Sequence, residues 1–116
     1  MINYLIPDKF IQENSFLVQA RDGKHLAGEA IFSRERESIN WFWRARVDVK
    51  TKYRKQGIGS KLLTMGDSYI AENYPNDVRE FNNLNAEGGF GYKNYTKGIN
   101  DDQIISFEGN QLRFKP

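Results

Sequence analysis

Two periodicities meet in this chain, and their junction constrains the fold more than any other feature. From Trp41 to Val49 the residues are aromatic and β-branched. Trp41, Trp43, Ala45, Val47 and Val49 share one face at a period of two, and Phe42, Arg44, Arg46 and Asp48 share the other. That predicts a strand. From Ile58 the period changes. Ile58, Leu62, Leu63, Tyr69, Ile70 and Tyr74 form a stripe at helical spacing, which predicts an amphipathic helix from Gly59 to about Asn73. Tyr74-Pro75-Asn76-Asp77 ends it. Between strand and helix lies a polar, basic turn, Lys50 to Gln56, followed by Gly57-Ile58-Gly59.

The physics of that junction favours an anion. The first turn of a helix has unpaired N–H groups and a partial positive charge, so a phosphate sits there readily. Gly57 and Gly59 carry no Cβ, which lets backbone approach a ligand closely. Arg54, Lys55 and Lys61 add full charges. Arg44 to Lys61 holds seven basic residues and one acid, Asp48, in a chain of net charge only +2. Such a block suggests a bound polyanion, although a solvated basic face has the same composition. The spacing is not that of a Walker loop, which needs Gly-x-x-x-x-Gly-Lys-Ser/Thr. It is not a dinucleotide fingerprint either, because Leu62 stands where the third glycine belongs.

At 116 residues the chain has room for one domain, 1–116, with one small core. No repeat or linker divides it. Ser15 to Ala20 reads as a strand, Asp22-Gly23 as a hairpin turn, and His25 to Ser33 as the returning strand. Ser33 to Ser38 reads as a charged loop. Val78 to Leu84, Gln103 to Phe107 and Gln111 to Phe114 read as strands, the last two forming a second hairpin. Asn85 to Lys97, with Gly88, Gly89 and Gly91, is a poor helix. Strands, one strong helix, then more strands give an α+β fold with a mostly antiparallel sheet.

The chain has no cysteine, so disulfides, thiol nucleophiles and Cys-ligated zinc are excluded. A histidine-based catalyst or metal site would have to use His25. That residue lies beside a turn, where exposure is the ordinary outcome. No metal is expected. No apolar run approaches the ~20 residues of a membrane helix, and the N-terminus lacks the basic region of a signal peptide. A cytoplasmic location is the expectation.

Arg54-Lys55-Gln56-Gly57-Ile58-Gly59 fits Arg/Gln-x-x-Gly-x-Gly/Ala. Preceded by Val47-Asp48-Val49 and followed by Ser60-Lys61-Leu62-Leu63, it resembles the acyl-CoA-binding motif of the GNAT acetyltransferases. The resemblance covers about residues 41 to 74. It implies a single-domain GNAT-like fold whose central strands splay, with one main helix after the pyrophosphate loop. It implies acetyl-CoA as cosubstrate. The backbone of Val47, Asp48 and Val49 would pair with the pantetheine arm as an added strand does. The N–H groups of Lys55, Gln56, Gly57, Ile58, Gly59 and Ser60 would take the pyrophosphate, with Arg54 beside them.

The implied chemistry is attack of a primary amine on the thioester. The amine must lose a proton, the oxyanion needs a donor and the thiolate needs a proton. Val49 N–H is the family-style oxyanion donor. Asn94-Tyr95-Thr96-Lys97-Gly98-Ile99 is similar to the family's Tyr-x-Lys-x-Gly-Phe block, one residue shorter. Tyr95 is therefore the first candidate acid and Tyr92 the second; packing is the competing role for both. Some family members carry a glutamate base at the position of Trp43, so that base is missing here. Glu29, Asp48 or a water chain could substitute. An ordinary surface carboxylate is the competing reading for Glu29 and Asp48.

Pro7 to Asn14 leaves room for one or two helical turns where the family usually has two helices. Those helices usually wall the acceptor site. Their reduction predicts an open groove, suited to a protein or another large amine-bearing acceptor. Short phage-encoded members of the family are similarly compact, and share the Gln56-Gly57-Ile58-Gly59-Ser60 run. Trp41, Phe42 and Trp43 could line an acceptor pocket, form a homodimer contact, or be core. Two other readings stay open. One is a non-catalytic CoA-binding or protein-interaction module. The other is a nucleic-acid binder that uses Arg44, Arg46, Lys50 and Lys52 on phosphates.

Overall fold

The computed structural model describes residues 1–82, 95–109 and 111–116. Its strands are β1 (Ile2–Leu5), β2 (Ser15–Asp22), β3 (His25–Glu37), β4 (Asn40–Val49), β5 (Val78–Phe81), β6 (Ile104–Glu108) and β7 (Gln111–Phe114). The helix α1 (Ile58–Asn73) joins β4 to β5. Among the described residues the strands form one sheet, in the order β1-β2-β3-β4-β5-β7-β6. Every neighbouring pair is antiparallel except β4 with β5.

Local chemistry explains most of these elements. Asp22 pairs with His25 across a two-residue turn, and Gly23 has φ of 60°, which a residue without Cβ adopts freely. His25 is exposed there. Strand β1 is too short to show a period and was not expected; it pairs with β2 through half-buried Ile2 and Tyr4. The charged segment expected to be a loop is strand instead. β3 runs on to Glu37 because Arg34 and Arg36 lie opposite Trp43 and Trp41 in β4. The Arg34 guanidinium is 4.3 Å from the Trp41 ring and 4.5 Å from the Tyr74 ring, and it pairs with Asp77 at 2.8 Å. Aromatic faces and a buried carboxylate thus supply what charged residues need to sit in a strand.

The core lies on one face of the sheet. Phe16, Val18, Phe32 and Trp43 meet Ile58, Leu62 and Ile70 of α1 there, all fully or nearly fully buried. Burying a side chain of this size contributes about 1.5–3 kcal/mol. Gly66 of α1 seats the Phe32 ring of β3: a Cβ there would lie 2.1 Å from that ring. Trp43 is buried and its Nε1–H donates to Asp77 at 2.8 Å. Phe42 is buried on the opposite face, under the Arg113 guanidinium at 4.4 Å. Both residues are packing groups.

The opposite face carries Leu17, Glu29, Ile31, Ser33, Arg44 and Arg46, which are half-buried or exposed. Between β1 and β2 the chain makes a single 3-10 turn, Asp8–Phe10. Among the described residues, no helix is long and apolar enough to cross a membrane.

Candidate functional site: a strand fork and a basic helix start

Strands β4 and β5 pair at only two positions, Phe42 with Val78 and Trp43 with Arg79. β4 then continues to Val49 with no described partner on that side. The two strands form a fork, open towards the end of β4.

Register determines what faces the gap. Antiparallel neighbours alternate between hydrogen-bonded and non-bonded pairs. Lys50 N–H donates to Ala27 C=O at 2.9 Å, which makes Gly28–Val49 a non-bonded pair. The N–H and C=O groups of Ala45, Val47 and Val49 therefore turn away from β3 and into the fork. Val49 C=O accepts a bond from Arg54 Nε at 3.0 Å. Asp48 is oriented differently from its neighbours. Its backbone belongs to the ladder with Glu29, and its side chain is exposed on the face away from α1. Of the three residues expected to present backbone to a ligand, Val47 and Val49 direct theirs away from β3, and Asp48 directs its backbone towards Glu29.

Past β4 the chain makes a 3-10 turn, Thr51–Tyr53, and enters α1. Tyr53 is buried, and its hydroxyl donates to Asp22 at 2.8 Å, tying this turn to the β2–β3 hairpin. That bond holds the Asp22 carboxyl below its usual range. Lys55 and Gly57 have φ of 65° and 77°. Turns in which a left-handed residue follows a right-handed one can bring successive backbone N–H groups into an anion-binding concavity. The first helical bond is Lys61 N–H to Gly57 C=O at 3.1 Å, and Gly57 caps the helix without a side-chain bond. The N–H groups of Ile58, Gly59 and Ser60 thus have no acceptor among the described residues.

The two glycines differ. A Cβ on Gly57 would meet nothing within 4 Å, so its constraint is the left-handed φ. A Cβ on Gly59 would touch the Val47 and Val49 side chains at ordinary distances of 3.6 and 3.8 Å, so the helix start packs on the end of β4 that has no strand partner among the described residues.

The remaining candidates fall in two places. Glu29 and Asp48 are cross-strand neighbours on the face away from α1. Tyr95 is in the core, 3% exposed, and its hydroxyl donates to Asp67 of α1 at 2.5 Å. Burial pushes its pKa well above the usual value. The expected acid is thus occupied inside the protein, and would have to leave Asp67 to protonate a thiolate. Tyr92 lies outside the described residues. A shallow depression of about 340 Å³, lined by Ile31, Ser33, Arg44, Ala45 and Arg46, lies beside β4. Among the described residues there is no cluster of His, Cys, Asp and Glu that could hold a metal ion.

Sequence reasoning missed a buried polar group at the fork. Arg79 and Glu80 are each 1% exposed. Arg79 Nε pairs with Asp67 at 2.9 Å, and Glu80 pairs with Arg44 at 2.6 Å and Arg113 at 3.5 Å. An arginine inside a short predicted strand was the one available signal.

The sequence model of the Acetyltransferase (GNAT) family matches residues 2–85. This chain belongs to the GNAT acetyltransferase family. No curated protein sequence matches it significantly. Solved structures share its fold at low identity. Escherichia coli ElaA aligns with a TM-score of 0.61 and 11% identity over 97% of each chain. An aminoglycoside acetyltransferase from an uncultured soil metagenomic sample, solved with sisomicin, aligns at 0.59 and 20%, over 92% of this chain and 76% of that one. A putative streptothricin acetyltransferase from Bacillus anthracis str. Ames, solved with acetyl coenzyme A, aligns at 0.55 and 19%, over 95% of this chain and 65% of that one. The GNAT fold is therefore present in a single domain with a mostly antiparallel sheet and one main helix.

Proposed function

We propose that this GNAT domain transfers an acetyl group from acetyl-CoA to a primary amine on a protein or another large acceptor. The observation that carries the reading is the meeting of two backbone surfaces that lack a strand or helix partner among the described residues, Val49 C=O being held by Arg54. The free edge of β4 and the open N-terminus of α1 lie side by side, with Arg54, Lys55 and Lys61 around them. Backbone donors and fixed cations suit a pyrophosphate. The free strand edge suits the two amides of a pantetheine arm.

In this reading Lys55 to Ser60 hold the pyrophosphate, and Val47 and Val49 hold the pantetheine. Acetyl-CoA supplies the activated acyl thioester. The acceptor approaches along the face of the sheet away from α1, where the depression beside Arg44 and Arg46 lies. Glu29 or Asp48 takes the amine proton through water as the C–N bond forms. Val49 N–H is the oxyanion donor. The departing thiolate takes a proton from solvent, since the Tyr95 hydroxyl is engaged with Asp67.

Titration of the purified protein with acetyl-CoA, CoA and ATP tests the binding half. Micromolar affinity for the two CoA ligands but not for ATP is expected. Acetyl transfer to a panel of lysine-bearing proteins tests the other half. Binding without turnover on any acceptor would favour the non-catalytic module instead.

A further inference from the structure

Where two strands of a sheet part, backbone groups lose their partners, and a buried carbonyl left alone is costly. Here the parting occurs in the core, directly beneath α1. Trp43 is the last β4 residue paired to β5, and Arg79 is opposite it. The Arg79 side chain fills the crotch of the fork. Its Nη1 donates to Trp43 C=O of β4 at 3.4 Å and to Glu80 C=O of β5. One nitrogen thus bridges a carbonyl from each of the two diverging strands. Its Nε is held by Asp67 of α1, and the other oxygen of Asp67 is held by Tyr95. The guanidinium also lies over the Phe32 ring of β3, 5.3 Å away.

We infer that Arg79 is the positioning residue that sets the fork, a buried wedge clamped by Asp67 and Tyr95 that keeps β4 and β5 apart so that a pantetheine arm can enter. The wedge ties together four elements: β4, β5, α1 and the helical turn that carries Tyr95. A planar guanidinium suits the task because it presents several donors in a fixed geometry, which a lysine does not. Burial normally requires such a charge to be paired, and Asp67 supplies the counter-charge. The fork also retains an unused donor: Arg79 Nη2 is buried and has no hydrogen-bond partner among the described residues. A polar vertex with a spare donor can accept the inner end of a polar ligand, which a vertex filled with leucine could not.

The inference rests on the CoA reading, and the test separates the two. The probes are CoA and its nucleotide diphosphate half without the pantetheine arm. Wild-type protein is expected to bind both, the half more weakly. Failure of the wild type to bind CoA would overturn the CoA reading itself. In Arg79→Met, CoA affinity is expected to fall at least about tenfold. Affinity for the nucleotide half should stay unchanged, because the Lys55–Ser60 loop is untouched. Arg79→Lys should recover only part of the loss. Equal loss for both probes, or for neither, in a folded variant would overturn the wedge. Should Arg79→Met fail to fold, Tyr95→Phe removes one clamp with less disruption. It should show the same selective loss, smaller in size, and its absence would count equally against the wedge.

Discussion

The two ends of the β4–β5 fork handle polar groups in opposite ways. At the closed end, buried charges find their partners inside the protein: Asp67 with Arg79, Asp77 with Arg34, Glu80 with Arg44. At the open end, among the described residues, the helix-start N–H groups have no acceptor and the β4 edge has no strand partner, with Arg54 Nε–H on Val49 C=O. Neighbouring cations such as Lys55 are exposed. The first arrangement stores order, because removing one member of a buried pair leaves an uncompensated charge. In the proposed function the second supplies affinity, because unpaired helix-start donors suit an anion. One strand therefore connects a rigid anchor to the proposed binding edge.

Substitutions should respect that division. The largest effect is expected from Gly57→Glu. The new carboxylate would enter the proposed anion site, and a side chain is strained at φ of 77°. CoA affinity should fall about a hundredfold or more, while cooperative thermal unfolding persists. Normal CoA binding by this variant would break the comparison at its open end. Gly66→Ala is the opposite experiment. Its methyl collides with the Phe32 ring, so overpacking should cost about 1–3 kcal/mol and lower the melting temperature by several degrees. CoA affinity measured well below that melting temperature should change little.

Salt should separate the two ends more finely. Raising ionic strength from about 0.05 to 0.5 M shortens the screening length several-fold. CoA affinity should weaken by roughly threefold to tenfold, read by calorimetry. Thermal stability should move much less, because the paired charges of the closed end are shielded from solvent.

The smallest expected effect concerns the tether behind the loop. Tyr53 holds the Asp22 carboxyl below its unfolded value. A depressed carboxylate pKa stabilises the fold above the unfolded pKa, near ~3.9, and that contribution disappears as pH falls through the folded value. Tyr53→Phe should therefore melt earlier than wild type at pH 5 to 7, and the gap should narrow below about pH 4. A constant gap across that range would mean that packing, not the Asp22 bond, is the role of Tyr53.

Much of the open end was legible in the sequence. A strand period, a basic turn, Gly-x-Gly and a helical stripe are local signals, and each acts within a few residues of where it is read. Gly57 illustrates this: its role as a left-handed helix cap depends on its own φ. Asp48 shows the limit. The family resemblance placed it among the ligand residues, but which way its backbone points depends on register with β3. Of the closed end, the sequence showed only a short strand with an arginine inside it. Arg79 reaches a helix residue 12 positions earlier, and Tyr95 reaches one 28 positions earlier. The charged run after Ser33 read as a loop because its aromatic and acidic partners, Trp41, Trp43 and Asp77, lie on later elements.

The sequence by itself determined the order strand–basic turn–helix, the family motif, and a residue free to adopt left-handed φ at Gly57. These follow from periodicity, propensity and the missing Cβ, which are properties of neighbouring residues. Tertiary structure decided where the strands part, which face of β4 is free, and how the buried Arg79 is neutralised. Those depend on partners brought together only by folding, since a charge can be buried only where the opposite charge and the carbonyls it must bond are already in place.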